Sequence, residues 1–118
     1  MATLRSPETQ KKYHEWKMAH QGDRRCVLCD REPLISFEYW KIIANDFPYD
    51  RITQKHDMLV PLRHVVGREL SDEERSELEK LKETYLGERY QSVLESLQSA
   101  MTIPSHFHVH LLVLKDDL

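Results

Sequence analysis

The fold is decided near the end of the chain by the stretch His106-Phe107-His108-Val109-His110-Leu111-Leu112-Val113-Leu114. Histidines alternate with apolar residues in its first half, and such alternation is typical of a β-strand, in which residues two apart share one face. Phe107, Val109 and Leu111 then form an ordinary core face. The other face carries a row of three imidazoles, and this row directs the search for function.

A row of histidines on one strand face allows several interpretations. It can bind a metal ion, because neutral imidazole is a common ligand. Alternatively, one imidazole can act as a nucleophile while its neighbours supply protons and hydrogen bonds to an anionic group. Both uses can also coexist in one row. The simplest alternative is a solvated strand face, although Lys, Thr and Glu are the more usual residues there.

Cys26 and Cys29 form a Cys-x-x-Cys pair, a spacing that allows two thiolates to reach one tetrahedral zinc ion. No thioredoxin-like βαβ pattern surrounds the pair, so a redox role lacks support. Two unconnected buried cysteines are the structural alternative. Histidine is the natural type of residue to complete a zinc site. Besides the three histidines of the row, the candidates are His14, His20, His56 and His64.

The composition indicates one globular domain over residues 1–118, with 40% hydrophobic and 31% charged residues. A net charge of -3 argues against a broad basic face, so nucleic acid is not an expected partner. No apolar run approaches the ~20 residues that a membrane-spanning helix needs. The polar stretch 1–21 contains no signal-peptide core, so we expect reduced thiols and a cytoplasmic location.

Helix and strand signals elsewhere predict an α+β fold with a mainly antiparallel sheet. Ser6 and Pro7 mark the start of a short N-terminal helix that ends near Gly22. Strand composition covers 34–44, and a short strand at 58–60 stops at Pro61. The predicted long helix begins with a capping box at Ser71 and extends to Met101, with a kink or break around Gly87. Its apolar stripe consists of Leu78, Leu81, Tyr85, Tyr90, Leu94, Leu97 and Met101.

Several motifs, taken together and in order, resemble the histidine triad (HIT) family. The stretch 106–112 matches the pattern His-φ-His-φ-His-φ-φ, where φ is a hydrophobic residue. The stretch 56–64 is similar to the family segment that joins two histidines through a Leu-Val pair and a proline. Asn45, three residues before Pro48, resembles the ribose-binding turn, and the Cys-x-x-Cys pair resembles that of the zinc-containing members. The resemblance covers about 26–114 and leaves the N-terminal helix outside it.

The resemblance implies a role for each matched residue. His108 would be the nucleophile that attacks the α-phosphorus of a nucleotide, and His110 would hydrogen-bond the phosphate oxygens. Asn45 would bind ribose hydroxyls. Ser105 or Thr102 would supply a hydroxyl donor in the interval 91–105, which contains no glycine. A structural Zn²⁺ ion would be held by Cys26, Cys29, His64 and His106.

The function implied is hydrolysis or transfer of a nucleotide from a nucleoside phosphoramidate or dinucleoside polyphosphate, through a nucleotidyl-histidine intermediate. The alternative is a catalytically weak, zinc-stabilised module that binds nucleotides. The expected partner is a purine nucleotide or nucleotide conjugate, and the family implies a possible homodimer. His56 matches the family segment but receives no catalytic role; we expect it to hydrogen-bond within its turn.

Overall fold

The structure, a computed structural model, describes residues 3–23 and 25–117. Five strands form one antiparallel sheet in the spatial order β1-β2-β3-β5-β4. They are β1 (Ile35–Ser36), β2 (Trp40–Ala44), β3 (Thr53–Pro61), β4 (Ser92–Leu94) and β5 (Val109–Leu114). The sheet and the few helices beside it confirm the predicted α+β class.

In the described residues, four α-helices and two single 3₁₀ turns accompany the sheet. The helices are α1 (Pro7–Ala19), α2 (Val27–Asp30), α3 (Asp72–Glu83) and α4 (Tyr85–Arg89), and the 3₁₀ turns are Gly67–Glu69 and Gln98–Ala100. Within the described part of the chain, none of these helices combines the length and apolar character that a bilayer crossing requires.

The predicted start of α1 is confirmed. The Ser6 hydroxyl accepts a hydrogen bond from the Thr9 backbone N–H at 3.2 Å, and Pro7 occupies the first helical position. The helix ends at Ala19, shortly before Gly22, whose φ of 89° is accessible to glycine at little cost. No residue of α1 is fully buried, so the helix lies on the surface of the domain.

The capping box that starts α3 is also confirmed, but the single long helix is wrong. Helix α3 ends at Glu83 because Thr84 adopts the non-helical angles φ -117° and ψ -98°, so the break precedes Gly87. With 12 residues, α3 is slightly shorter than α1, which has 13. The helical period failed beyond Arg89 because Val93 pairs with Leu111 in β5, and sheet pairing outweighs a weak helical preference.

The strand predictions at 34–44 and 58–60 were approximate. The first stretch is a hairpin in which Ile35 of β1 faces Ile42 of β2. The second is the nine-residue strand β3, which pairs with β2 on one side and β5 on the other and ends at Pro61 as predicted. The polar N-terminal half of β3 has no strand composition, so the sequence did not predict its full length. Pairing with the neighbouring strands keeps this half extended.

The two faces of the sheet have different partners. One face packs against α3 and α4 in the main core, whose members include Trp40, Leu59, Leu78, Leu81, Phe107, Val109 and Leu111. The opposite face carries a smaller cluster of Leu28, Ile43 and Val60, with Met58 and Ile103 at its edge. The alternation of the histidine stretch is thus confirmed, since Phe107, Val109 and Leu111 face the main core. The regular strand β5 begins only at Val109.

Candidate functional site

Four side chains that are distant in sequence form a cluster that could hold a metal ion. The candidate ligand atoms of Cys26, Cys29, His64 and His106 all lie within 4.8 Å of one another. The Cys29 Sγ atom lies 3.3 Å from both His64 Nδ1 and His106 Nδ1, and the Cys26 Sγ atom lies 3.5 Å from His106 Nδ1. An ion with bonds of about 2.3 Å to sulfur and about 2.0 Å to nitrogen separates such atoms by roughly 3.5 Å in a tetrahedron. The cluster therefore has the dimensions of a tetrahedral S₂N₂ site.

Backbone structure on both sides positions these ligands. Cys26 precedes α2 and Cys29 lies within it, so one turn of helix points both thiols toward the sheet. The Lys41 ammonium group donates to the carbonyl of Cys29 at 3.1 Å and fastens this turn to β2. The His106 ring is fully buried, and its Nε2–H donates to the Pro61 carbonyl at 3.0 Å. That bond leaves Nδ1 free as the ligand atom, as an outer-shell contact does in metal sites.

The thiols themselves favour a bound cation. Burial raises the pKa of Cys29 to about 11, and the neighbouring Cys26 thiol adds to the rise. Without an ion, Cys29 is therefore a protonated thiol at neutral pH. A divalent ion would displace the proton, because coordination stabilises the thiolate form directly.

His108, the next histidine of the row, is positioned differently. Its side chain is only 4% exposed, and its Nδ1–H donates to the carbonyl of His106 at 2.9 Å. Burial lowers the pKa of the ring, so the imidazole is neutral at pH 7. A neutral ring with its proton on Nδ1 carries a free electron pair on Nε2. Nε2 has no hydrogen-bond partner among the described residues.

His110 belongs to a chain of hydrogen bonds with a defined direction. The backbone N–H of Tyr49 donates to His56 Nδ1 at 2.9 Å, which leaves the His56 proton on Nε2. That Nε2–H then donates to His110 Nδ1 at 2.8 Å, so the His110 proton lies on Nε2, 3.3 Å from the Tyr49 hydroxyl oxygen. Burial lowers the pKa of His56 to about 4 and that of His110 to about 3. Both rings are therefore neutral, and His110 presents an N–H donor.

His108 and His110 line a small cavity of about 70 Å³ on the second face of the sheet. Leu28, Met58 and Ile103 contribute apolar walls, and the N-terminal segment adds Arg5, Tyr13 and Trp16. A larger groove of about 700 Å³ adjoins it and shares Tyr13, Trp16, Val27, Arg31, Asp46, Thr102 and Ile103 with it. The groove also contacts Cys26 and His64 of the metal cluster. A ligand that enters through the groove would thus pass between α1 and α2 toward His108.

Asn45 and Ser105 lie in different parts of this region. Asn45 lines the small cavity, but its Oδ1 atom accepts the Phe47 backbone N–H at 2.8 Å, and its Nδ2 atom lies 3.2 Å from His56 Nε2. Ser105 is exposed and lines the adjoining groove, as does Thr102, which reaches both spaces. Asn45 is therefore close to the two histidines, whereas Ser105 lies nearer the metal cluster.

Comparison with known proteins gives one informative result. No family model and no curated protein sequence matches the chain. Among solved structures, the crystal structure of a HIT family hydrolase from Legionella pneumophila Philadelphia 1 matches with a TM-score of 0.55. The match covers 75% of this chain and 92% of that chain at 16% sequence identity. The fold is HIT-like. The HIT-like fold confirms the architecture that the triad and its companion motifs imply.

Some residues of this site are not among those that the sequence predicted. His56 does hydrogen-bond within its turn, as expected, but its second nitrogen also fixes the proton on His110. Tyr49 and Arg5 gave no signal, because single tyrosines and arginines are common in loops. Tyr13 and Trp16 stood at helical spacing on α1, yet nothing in the sequence connected that helix to the triad.

Proposed function

We propose that this protein hydrolyses or transfers a nucleotide by attack of His108 on the α-phosphorus of a nucleoside phosphoramidate or dinucleoside polyphosphate. The observation that carries the proposal is the state of His108. The ring is neutral and is held through Nδ1 by the His106 carbonyl, so its unshared electron pair is on Nε2, and the residue lines a cavity that His110 also lines. This arrangement supplies a nucleophile and an adjacent hydrogen-bond donor with no proton transfer required beforehand.

The reaction would take place in two displacements at phosphorus. In the first, His108 Nε2 forms a bond to the α-phosphorus while the bond to the leaving group breaks, and the leaving group takes up a proton from water. In the second, water or another acceptor attacks the same phosphorus and gives up its proton to the solvent, the P–N bond breaks, and the electron pair returns to Nε2. The His110 Nε2–H would donate to a non-bridging oxygen and stabilise the charge that develops there.

The metal cluster has a structural part in this proposal. Its two thiols and two imidazoles are the donor set that zinc prefers, and zinc would supply no chemistry beyond cross-linking α2 to the chain before β5. Cys26 and Cys29 would hold the same ion as His106. They would thereby fix the His106 carbonyl, to which His108 is hydrogen-bonded. The cluster thus acts on His108 by positioning it, and the phosphate does not meet the ion.

Asn45 and Ser105 complete the proposed binding site. Asn45 would bind the ribose, which requires its amide to exchange the Phe47 contact or to use a remaining lone pair or N–H. Ser105 would act as a hydroxyl donor at the mouth of the groove. A purine nucleotide or its conjugate is the proposed ligand.

Release of AMP from an adenosine phosphoramidate or a dinucleoside polyphosphate tests the activity. The wild type, prepared with zinc, should release AMP, and His108→Ala should lower the rate at least ~1,000-fold. His14→Ala, which removes an exposed histidine on α1, should leave the rate unchanged. Equal rates for His108→Ala and wild type would refute the role of His108.

A second candidate, a nucleotide-binding module with weak catalysis, is favoured by one observation. The cavity at His108 holds only about 70 Å³, whereas ligand pockets usually measure 300–1,000 Å³. The groove beside it is large enough for a nucleotide at about 700 Å³. Calorimetric binding of AMP with no product released from either substrate class would establish this second function and exclude the first.

A further inference from the structure

The segment before α1, together with the helix, forms one wall of the candidate site. The Ser6 backbone N–H and hydroxyl donate to Asp50 at 2.7 and 2.9 Å. The Arg51 backbone N–H donates to the Leu4 carbonyl at 3.1 Å. Farther along, the Tyr13 ring packs on Phe47 with centroids 5.2 Å apart. The N-terminal segment is thus attached to the loop between β2 and β3, which also carries Asn45 and Tyr49.

Arg5 is the residue of this segment that reaches into the cavity. Its Nε–H donates to the carbonyl of Phe47 at 2.7 Å, which fixes the direction of the side chain. The guanidinium carbon lies 4.2 Å from the centroid of the Tyr13 ring and 5.1 Å from that of Tyr49. The Tyr49 ring is in turn 5.0 Å from the His110 ring. Arg5 therefore holds a positive charge on the side of the cavity that carries the His110 imidazole.

Within residues 3–23 and 25–117, no carboxylate forms an ion pair with Arg5. The other arginine that lines the cavity, Arg31, forms a bidentate pair with Asp46, with N–O distances of 2.7 and 3.0 Å. Two aromatic rings offset part of the cost of placing a guanidinium in a half-buried position, but they leave its net charge in place. The Nη groups remain as donors suited to a planar, bidentate anion such as phosphate.

We propose that Arg5 binds the phosphate of the nucleotide that lies against His108. The inference rests on the proposed function and adds a binding residue from a segment outside the triad motifs. Arg5 would provide the positive charge on one side of the phosphate, and His110 would provide a neutral N–H donor on the other. The aromatic rings of Tyr13 and Tyr49 would hold the guanidinium in place before the ligand arrives.

A purely structural role is the competing account, since the same contacts could serve only to fasten α1 to the domain. The two roles differ in what they discriminate. A fastening residue affects every ligand of the site alike, whereas a phosphate-binding residue affects AMP and leaves adenosine, which lacks the phosphate, nearly untouched. A lysine at position 5 keeps the charge but loses the fork geometry, so it should restore part of the AMP affinity.

Calorimetry with AMP and with adenosine on the full chain, loaded with zinc, tests the proposal. Arg5→Gln should weaken AMP binding about 10- to 100-fold and change adenosine affinity less than about twofold. Arg5→Lys should lie between Arg5→Gln and wild type for AMP. The matched control is Arg51→Gln, because Arg51 donates to the Thr3 carbonyl at 3.0 Å and does not line the cavity. It should leave both affinities unchanged.

Four results would overturn the inference. Equal loss of AMP and adenosine affinity in Arg5→Gln would assign Arg5 to fastening α1, and unchanged AMP affinity would assign it no part in binding. If Arg5→Gln fails to fold, Arg5→Lys decides the matter, and wild-type AMP affinity in that variant would count against the proposal. Absence of AMP binding by the wild type would instead refute the proposed function, and the inference with it.

Discussion

His106 and His108 are two residues apart on one extended segment, yet they belong to regions of opposite character. Around His106, four candidate ligand atoms already have the separations expected around a bound metal ion. Two of their residues, Cys29 and His64, are exposed. Around His108, the ring is buried, and its neighbour His110 is hydrogen-bonded to His56 and Tyr49. One face of one segment thus provides a cluster whose atoms already lie within 4.8 Å of one another and, two residues farther on, a cavity of about 70 Å³.

The comparison teaches how alternation separates tasks on a strand. Residues two apart share a face but lie ~6.6 Å from each other, so an ion bound by one imidazole does not reach the next. The His106 carbonyl is the link between the two regions, because it accepts the His108 Nδ1–H at 2.9 Å. A fixed position of His106 in the metal cluster therefore fixes the orientation of the His108 ring at the cavity.

Removal of the metal should produce the largest effect on this comparison. We expect a chelator to lower the melting temperature of the metal-loaded protein by about 20 °C or more, since metal binding contributes directly to folding free energy. Cys29→Ser should melt at a similarly low temperature, and the chelator should then have no additional effect. Equal melting temperatures with and without chelator would show that the cluster does not hold a structural ion.

Acid should lower the unfolding free energy because His56 takes up a proton on unfolding. Comparison of wild type with His56→Gln isolates this contribution. Burial lowers the pKa of folded His56 to about 4, against about 6.5 when unfolded, so its contribution is complete above pH 6.5 and is lost as pH falls toward 4. Wild type should therefore lose about 2 kcal/mol more unfolding free energy than His56→Gln between pH 7 and pH 5. Urea unfolding of both proteins measures the difference.

Any loss of metal in acid is common to both proteins and cancels in this difference. Parallel losses in wild type and His56→Gln would mean that His56 is not held neutral by the fold. The hydrogen-bond direction assigned to His110 would then also be wrong.

Weaker attachment of α1 should cause the smallest loss of unfolding free energy. The change should affect the cavity side of the domain and not the metal cluster. Asp50 accepts hydrogen bonds from the Ser6 backbone and hydroxyl and from the Thr9 hydroxyl. Asp50→Ala should cost about 1 kcal/mol and increase tryptic cleavage in α1, which contains Lys11, Lys12 and Lys17. Metal content should not change.

Asp30→Ala is the matched control for this substitution. Asp30 forms an exposed pair with Arg25, whose side chain is 85% exposed, and such pairs contribute little. Proteolysis of α1 at the wild-type rate in Asp50→Ala would show that Asp50 does not hold the helix in place.

The sequence contained the strand of the triad, the start of α1 and the start of α3, because each depends on local chemistry: alternation, a capping serine and a capping box. It indicated a break around Gly87 but not the extended chain beyond Arg89, which depends on the pairing of Val93 with Leu111. The length of β3 was hidden for the same reason. Long-range pairing leaves little trace in local composition.

The site divides along the same line. Cys26, Cys29, His64 and His106 were named together through the resemblance to the HIT family, and the structure brings their ligand atoms within 4.8 Å. His108, His110 and Asn45 line one cavity, but Ser105 lies in the groove beside it. Arg5 was missed because its position depends on how α1 packs on the loop around Phe47, a contact between segments that are 42 residues apart.

The nucleophile is tested most directly by the covalent intermediate. The protein is mixed with an adenosine phosphoramidate, quenched in alkali within the first turnovers, and mapped by peptide mass spectrometry. We predict one adenylyl group on the peptide that contains His108, and none when His108→Ala is treated in the same way. An adenylyl group on another residue, or steady release of AMP with no adduct at any time, would contradict this account.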